Sequence, residues 1–63
     1  MITKDTMIKD ILADHPEVES VFKQYGIQCF GWGGVMYKSV GYAAQRYGIE
    51  EDILLKELNK HKH

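Results

Sequence analysis

The stretch Pro16-Glu17-Val18-Glu19-Ser20-Val21-Phe22-Lys23-Gln24-Tyr25-Gly26-Ile27 holds a complete set of helix signals. Proline suits the first turn of a helix, because the N–H that it lacks would have no partner there. The apolar positions that follow at helical spacing are Val18, Val21, Phe22 and Tyr25. They share one helical face. Gly26 is placed to end the helix as a left-handed cap, and Ile27 is expected to fold back onto it.

Signals outside this stretch predict two further helices after it. Tyr47-Gly48-Ile49 repeats the order of Tyr25-Gly26-Ile27, so a third helix is expected to stop there. Ser39 is placed to begin that helix as its N-cap, because its hydroxyl can accept a free N–H of the first turn. A fourth helix is predicted over residues 50–59, whose three opening residues are acidic and suit the positive end of a helix dipole.

A first helix is predicted before the proline. Ile8, Ile11 and Leu12 repeat at spacings of three and four and share one face. Thr6 is the predicted N-cap. Pro16 ends this helix, because the residue before a proline is pushed out of the α region.

Together these segments predict an all-α fold of about four short helices in an orthogonal array, because helices this short cannot form extended coiled-coil seams. Residues 1–59 are expected to form a single helical domain, and residues 60–63 a flexible polar tail. A short helical turn is predicted over residues 35–37, and no segment alternates as a strand would. The predicted core consists of Ile8, Ile11, Leu12, Val18, Val21, Phe22, Ile27, Ala43, Ala44, Ile49, Ile53, Leu54 and Leu58.

Length and charge exclude several classes of protein. The 63 residues have a net charge of −1, which does not fit the basic face of a nucleic-acid binder. No apolar run approaches the ~20 residues that span a bilayer, and no signal peptide is recognised, so a cytoplasmic location is expected. One cysteine cannot form an internal disulfide, so stability must come from packing.

The segment Cys29-Phe30-Gly31-Trp32-Gly33-Gly34, called here the glycine-rich loop, interrupts the helical pattern. It contains the only cysteine and the only tryptophan of the chain. Its glycines match no phosphate-binding fingerprint, and they are expected to let the chain reverse between the second and third helices. The predicted binding residues are Cys29, Phe30, Gly31, Trp32, Gly33, Gly34 and Tyr37.

Three segments of the chain carry a resemblance to a known family. They are Ile2-Thr3-Lys4-Asp5, Val21-Phe22-Lys23-Gln24-Tyr25-Gly26-Ile27 leading to Cys29, and Tyr47-Gly48-Ile49 continuing to Leu58-Asn59. Together they resemble the hybrid-cluster-protein-associated disulfide domain, a small helical domain of unknown function. The glycine-rich loop is also similar to the N-terminal domain of iron–sulfur cluster repair di-iron proteins.

The chain departs from the first family's pattern at two places. That family has a Cys-x-Gly-Cys pair, to which Cys29 and Gly31 correspond, but Trp32 occupies the second cysteine position. A redox disulfide between the two positions and a two-cysteine metal site are therefore excluded in one chain. Thr6 and Met7 are transposed relative to the family, which removes a capping box and predicts a frayed first turn.

Cys29 has two interpretations from the sequence. It is either a reactive or ligand-binding thiol or a small buried hydrophobic residue. Nucleophilic catalysis is not expected, because no histidine lies near it in sequence. His15 is expected to be a capping or surface residue, and the pair His61 and His63 lacks the rigid third ligand of a good metal site.

The loop aromatics Phe30 and Trp32 either anchor a partner or cover the core as a lid. The leading prediction is a non-enzymatic binding module of undefined role that uses the glycine-rich loop, with no cofactor and no contact to nucleic acid or membrane. Its partner would be a protein, a second copy in a homodimer, or a small ligand. The alternative is a single-thiol redox or metal accessory domain, related to iron–sulfur metabolism, in which Cys29 acts.

Overall fold

The computed structural model describes residues 1–61 and contains four α-helices, with the longest connection, residues 25–39, between the second and the third. The helices are α1 (Ile8–Asp14), α2 (Glu19–Gln24), α3 (Val40–Arg46) and α4 (Glu51–His61), and a 3-10 turn, Pro16–Val18, precedes α2. Over the described residues the only β-type pairing is an isolated bridge between Met7 and Ser39. The predicted all-α class is therefore confirmed.

Helices α2 and α3 end in the same way, as predicted from the two Tyr-Gly-Ile segments. Gly26 and Gly48 have φ angles of 74° and 66°, a left-handed conformation that glycine adopts without strain. The residues after them, Ile27 and Ile49, each donate their N–H to the carbonyl five positions back, at 2.8 Å. This is the Schellman arrangement, and it turns both isoleucines toward the core.

The N-termini of α1 and α3 are capped reciprocally. Backbone carbonyls of the segment before α3 accept N–H groups of α1, and carbonyls of the segment before α1 accept N–H groups of α3. The four bonds, each from N–H to carbonyl, are Ile8 to Lys38 (2.9 Å), Lys9 to Met36 (2.8 Å), Val40 to Thr6 (3.0 Å) and Gly41 to Lys4 (2.9 Å). Each bond at α1 has a counterpart at α3. The donors Ile8 and Val40 are 32 positions apart, and so are the acceptors Thr6 and Lys38. Residues 4–9 and 36–41 therefore cap each other's helix with local two-fold symmetry.

This reciprocal capping overturns one predicted cap. Met7, not Thr6, is the N-cap residue of α1, and it makes no side-chain cap bond. The Thr6 hydroxyl oxygen instead accepts from the Thr3 N–H at 3.0 Å. The first turn is not frayed, because distant backbone carbonyls satisfy its N–H groups. The Ser39 cap is confirmed, since its Oγ accepts from the Tyr42 N–H at 3.2 Å.

The core lies where all four helices meet. Ten predicted members are buried: Ile8, Ile11, Val18, Val21, Phe22, Ile27, Ala43, Ala44, Leu54 and Leu58. Leu12 and Ile49 are only partly buried. Ile53 is 50% exposed, so its placement in the core is wrong. It lies about 100° around the helix from Leu54, which leaves it outside the buried stripe. Four buried residues were not in the predicted core: Ile2, Val35, Val40 and Cys29, whose burial was one of its two interpretations.

The segment after the glycine-rich loop and the end of α4 also differ from the prediction. Residues 35–38 form a single turn, closed by a 2.9 Å bond from the Lys38 N–H to the Val35 carbonyl, and not a helix. Helix α4 continues beyond residue 59 to His61, whose Nε2 lies 3.8 Å from Glu57. The rest of the predicted tail, residues 62–63, lies outside the described residues. None of the helices described is both long and apolar enough to cross a membrane.

Candidate functional site

The glycine-rich loop is closed at its base by two backbone hydrogen bonds. The Val35 N–H donates to the Gln28 carbonyl at 3.0 Å, and the Met36 N–H donates to the Cys29 carbonyl at 3.1 Å. Within the loop, the Gly34 N–H donates to the Gly31 carbonyl at 3.1 Å, which forms a tight turn at the tip. The chain reversal predicted for these glycines is therefore present.

An exposed side chain that the sequence analysis missed, that of Gln28, bonds to the loop backbone. The Gln28 amide nitrogen donates to the carbonyls of Phe30 (2.9 Å) and Trp32 (2.8 Å). Its two N–H groups thus satisfy two loop carbonyls that no helix or strand can satisfy. The available sequence signal was a glutamine, whose amide has two N–H donors, directly before a segment with three glycines.

Gly34 is required by the geometry of the loop. A Cβ at this position would lie 2.5 Å from the carbonyl oxygen of Cys29, closer than atoms approach without displacement. Gly31 and Gly33 are required for a different reason, since their φ angles are 81° and 75°. The loop backbone is thus specified by its glycines.

Cys29 is separated from the rest of the predicted site. Its side chain is 5% exposed and belongs to the hydrophobic core cluster. Burial, and then the nearby Glu19 carboxylate, raise the pKa of the thiol from 9.0 to about 11. The thiol therefore stays protonated at neutral pH, and the structure favours the interpretation of Cys29 as a buried hydrophobic residue.

A shallow groove of about 170 Å³ lies over Cys29. Its lining residues are Glu19, Lys23, Ile27, Gln28, Cys29 and Phe30. No side chain of the described residues forms a hydrogen bond with the thiol, so it has no partner positioned as a general base. The groove is a shallow depression next to the loop, and its lining includes one acidic and one basic side chain, Glu19 and Lys23.

The aromatic residues predicted for the site are exposed. Trp32 is 98% exposed, Tyr37 is 71% exposed and Phe30 is 49% exposed. Phe22, in contrast, is completely buried. The hydroxyl oxygen of Tyr47 accepts from the Gln28 N–H at 3.3 Å, at the point where the loop begins. The alternative in which Phe30 and Trp32 cover the core as a lid does not hold for Trp32.

A basic surface next to the loop was not predicted. It forms an open cleft of about 200 Å³, called here the basic cleft, lined by Gly33, Gly34, Val35, Lys38, Tyr42 and Arg46. The Lys38 Nζ lies 5.2 Å from the centroid of the Tyr42 ring, a cation–π distance. The spacing of residues 38, 42 and 46 by four was the available signal, although residue 38 precedes α3.

The histidines do not assemble a metal centre in the part of the chain that the structure describes. No group of three or more histidine, cysteine, aspartate or glutamate side chains is close enough there to hold an ion. His15 Nδ1 lies 3.5 Å from a carboxylate oxygen of Glu17, at the junction of α1 and the 3-10 turn. His15 is thus a partly buried junction residue.

A family model matches most of the chain. The family model described as a domain of unknown function, DUF1858, matches residues 2–55. The chain belongs to the DUF1858 family. No solved structure matches it significantly. The DUF1858 match contains α1 to α3, the first part of α4, the glycine-rich loop and the basic cleft.

The DUF1858 description names no reaction, cofactor or partner. The resemblance to the hybrid-cluster-protein-associated disulfide domain therefore stays a prediction. In this DUF1858 domain, the Cys29 thiol is buried in the core cluster, and the exposed groups of the glycine-rich loop and the basic cleft are aromatic rings, two cations and glycine backbone.

Proposed function

We propose that the domain is a small non-enzymatic interaction module that binds a protein partner through the aromatic side chains of the glycine-rich loop. One observation supports this most directly: Trp32 is 98% exposed, on a loop whose backbone is fixed at that residue by the Gln28 amide. Trp32 contributes almost nothing to the folded core. Tryptophan and tyrosine are the residues that most often anchor protein interfaces.

The fixed loop supports binding as much as the exposed ring does. Gln28 holds the carbonyls of both Phe30 and Trp32, so the backbone that carries the two rings is ordered before a partner arrives. A preorganised surface loses less conformational entropy on binding than a flexible one. Tyr37, which is 71% exposed, adds a third ring on the segment that follows the loop.

The alternative function, a single-thiol redox or metal accessory domain, has less support. It depends on the resemblance to a family with a Cys-x-Gly-Cys pair, and Trp32 replaces the second cysteine. The remaining thiol is buried, and its pKa is raised to about 11, which suppresses the thiolate that redox exchange and metal binding require. We therefore include no redox step in the proposal.

Site-specific photo-crosslinking tests the proposal. A photoreactive benzoylphenylalanine would replace Trp32, and a matched variant would carry it at the exposed Lys56 of α4. We expect a discrete cross-linked product from position 32 and none from position 56; a product of twice the chain mass would identify a second copy as the partner. The purified partner should then bind the wild-type chain at least about tenfold more tightly than Trp32→Ala. The same products from both positions, or equal affinities, would contradict the proposal.

A further inference from the structure

We infer that the partner presents an acidic peptide segment, and that this segment binds in the basic cleft beside the glycine-rich loop. The inference rests on the proposed function, because it names the class of partner that the same loop would bind. It uses the cleft residues Lys38, Tyr42 and Arg46, none of which the sequence analysis assigned to a site.

The cleft and the loop form one continuous surface. Gly33 and Gly34 belong to the loop and also line the cleft. Trp32 directly precedes them and is almost completely exposed. A second depression, of about 330 Å³, shares Tyr42 and Arg46 with the cleft and extends it past the ring. A partner that covers Trp32 is therefore positioned to continue into the cleft.

The charges of the cleft have no counterpart within the described chain. Lys38 and Arg46 are exposed, and neither lies within 4.0 Å of a carboxylate in residues 1–61. Lys9, in contrast, lies 3.1 Å from Asp10. None of the residues that line the cleft is acidic. Two unpaired cations in one concave surface favour a carboxylate-bearing partner and disfavour a basic one.

Tyr42 adds an apolar element between the two cations. Its ring is 43% exposed, and Lys38 lies over it at 5.2 Å from the centroid. The exposed part of the ring offers a flat surface to an apolar or aromatic side chain. The cleft therefore suits a segment in which acidic residues flank an apolar one.

A nucleic acid is a poorer occupant of this surface. Proteins that bind a phosphate backbone neutralise several phosphates at once with a stripe of lysine and arginine. The cleft provides two cations, and the whole chain has nine acidic against eight basic residues. The short basic surface on a slightly acidic chain fits a local acidic peptide better.

The test uses a phage-displayed library of random peptides, selected against the full 63-residue chain. We expect the selected peptides to be enriched in aspartate and glutamate next to an aromatic or apolar residue. The strongest peptide, labelled with fluorescein, is then titrated by fluorescence polarisation. Its affinity should fall as the salt concentration rises from about 0.05 M to about 0.5 M, because exposed charge pairs are screened.

A pair of matched double variants identifies the surface. Lys38→Gln with Arg46→Gln removes both cations of the cleft, while Lys56→Gln with Lys60→Gln removes two exposed cations of α4. Arg46 and Lys60 both lie in the last turn of their helices, so the effects on the helix dipoles are matched. We expect the first pair to weaken peptide binding at least about tenfold, and the second pair less than about twofold.

The outcomes separate this inference from the proposed function. The selected peptides could lack acidic enrichment and bind both double variants with equal affinity, but fail to bind Trp32→Ala. This result would overturn the inference of an acidic partner and leave the proposed function standing. Peptides whose binding is unaffected by Trp32→Ala would overturn the proposed function. A library that yields no binding peptide would count against both. If inorganic phosphate displaces the peptide at a concentration of about 1 mM, the cleft is a site for a free anion and the inference is wrong.

Discussion

The side-chain amide of Asn59 pairs with both backbone groups of Ile2. Its Oδ1 accepts from the Ile2 N–H at 2.9 Å, and its Nδ2 donates to the Ile2 carbonyl at 2.9 Å. The same Nδ2 also donates to the Leu55 carbonyl of α4 at 3.0 Å. This pairing joins two segments that are 57 positions apart and holds Ile2, which is 6% exposed, against the core.

Replacing Asn59 should therefore destabilise the domain. We expect Asn59→Ala to lower the free energy of unfolding by about 1–2 kcal/mol, because two partly buried backbone groups lose their partners. Asn59→Asp retains the acceptor and loses the donor, so it should destabilise at least as much. Urea denaturation measures both, with the exposed Lys56→Ala in the same helix as the control. Equal stability of the Asn59 and Lys56 variants would show that the pairing contributes nothing.

Gly34 and Gly33 should respond differently to the same substitution. A Cβ at Gly34 would lie 2.5 Å from the Cys29 carbonyl oxygen, so Gly34→Ala must displace the loop. We expect it to cost about 3 kcal/mol. At Gly33 a Cβ meets nothing within 4 Å, and only the positive φ of 75° is unfavourable, so Gly33→Ala should cost about 1 kcal/mol.

Thermal unfolding followed by circular dichroism compares these two glycine variants directly. The order of the two effects is the sensitive result, because both substitutions add one methyl group to the same loop. If Gly33→Ala is the more damaging of the two, close backbone approach is not what specifies glycine at position 34.

The sequence predicted those parts of the fold that depend on neighbouring residues. The Gly26 and Gly48 caps and the Ser39 cap form within one helical turn, so local residue types determine them. The start of α1 was mispredicted because its N–H groups bond to residues 36 and 38, which are about 30 positions away. No local pattern contains that information.

Local sequence patterns also did not predict which residues outside the helices are buried. Ile2 and Val35 lie in irregular segments, so no helical periodicity marks them as core. Ile2 is held by Asn59, 57 positions away, and Val35 by the Gln28 carbonyl across the glycine-rich loop.

The candidate site was predicted in part. The sequence correctly indicated that the loop reverses the chain and offered the burial of Cys29 as one of two interpretations. It did not identify Lys38 and Arg46, because a cleft between a loop and a helix depends on the tertiary fold. Whether the exposed loop residues bind a partner stays a prediction.

The thiol of Cys29 should react slowly in the folded protein. With a pKa of about 11 instead of 9.0, its thiolate fraction at pH 8 is about 100-fold smaller, and burial slows the reaction further. We expect alkylation by iodoacetamide to be at least about 100-fold slower in the native chain than in the same chain unfolded in urea. Similar rates in both states would contradict the buried, protonated thiol.

The same pKa shift makes stability depend on pH at the alkaline end. The pKa of the Cys29 thiol is higher in the folded chain than its unfolded value of 9.0. The thiol therefore contributes its full stabilisation below pH 9, and this contribution is lost as the pH rises toward 11. We expect the stability difference between the wild-type chain and Cys29→Ala to decrease across this interval. The comparison cancels the titration of lysines and tyrosines, which both proteins share, and a constant difference would contradict the shift.

Trp32 should be dispensable for folding. Its side chain is 98% exposed, so we expect Trp32→Ala to change the free energy of unfolding by less than about 0.5 kcal/mol. Phe22→Leu, which alters a completely buried ring, should cost at least about 1 kcal/mol in the same urea titration. Because Trp32 is the only tryptophan, its emission maximum in the wild-type chain should resemble that of tryptophan in water and shift to shorter wavelength when a partner covers it. A loss of stability in Trp32→Ala similar to that in Phe22→Leu would show that the ring packs against its own chain, and the interaction surface proposed for the loop would lose its main support.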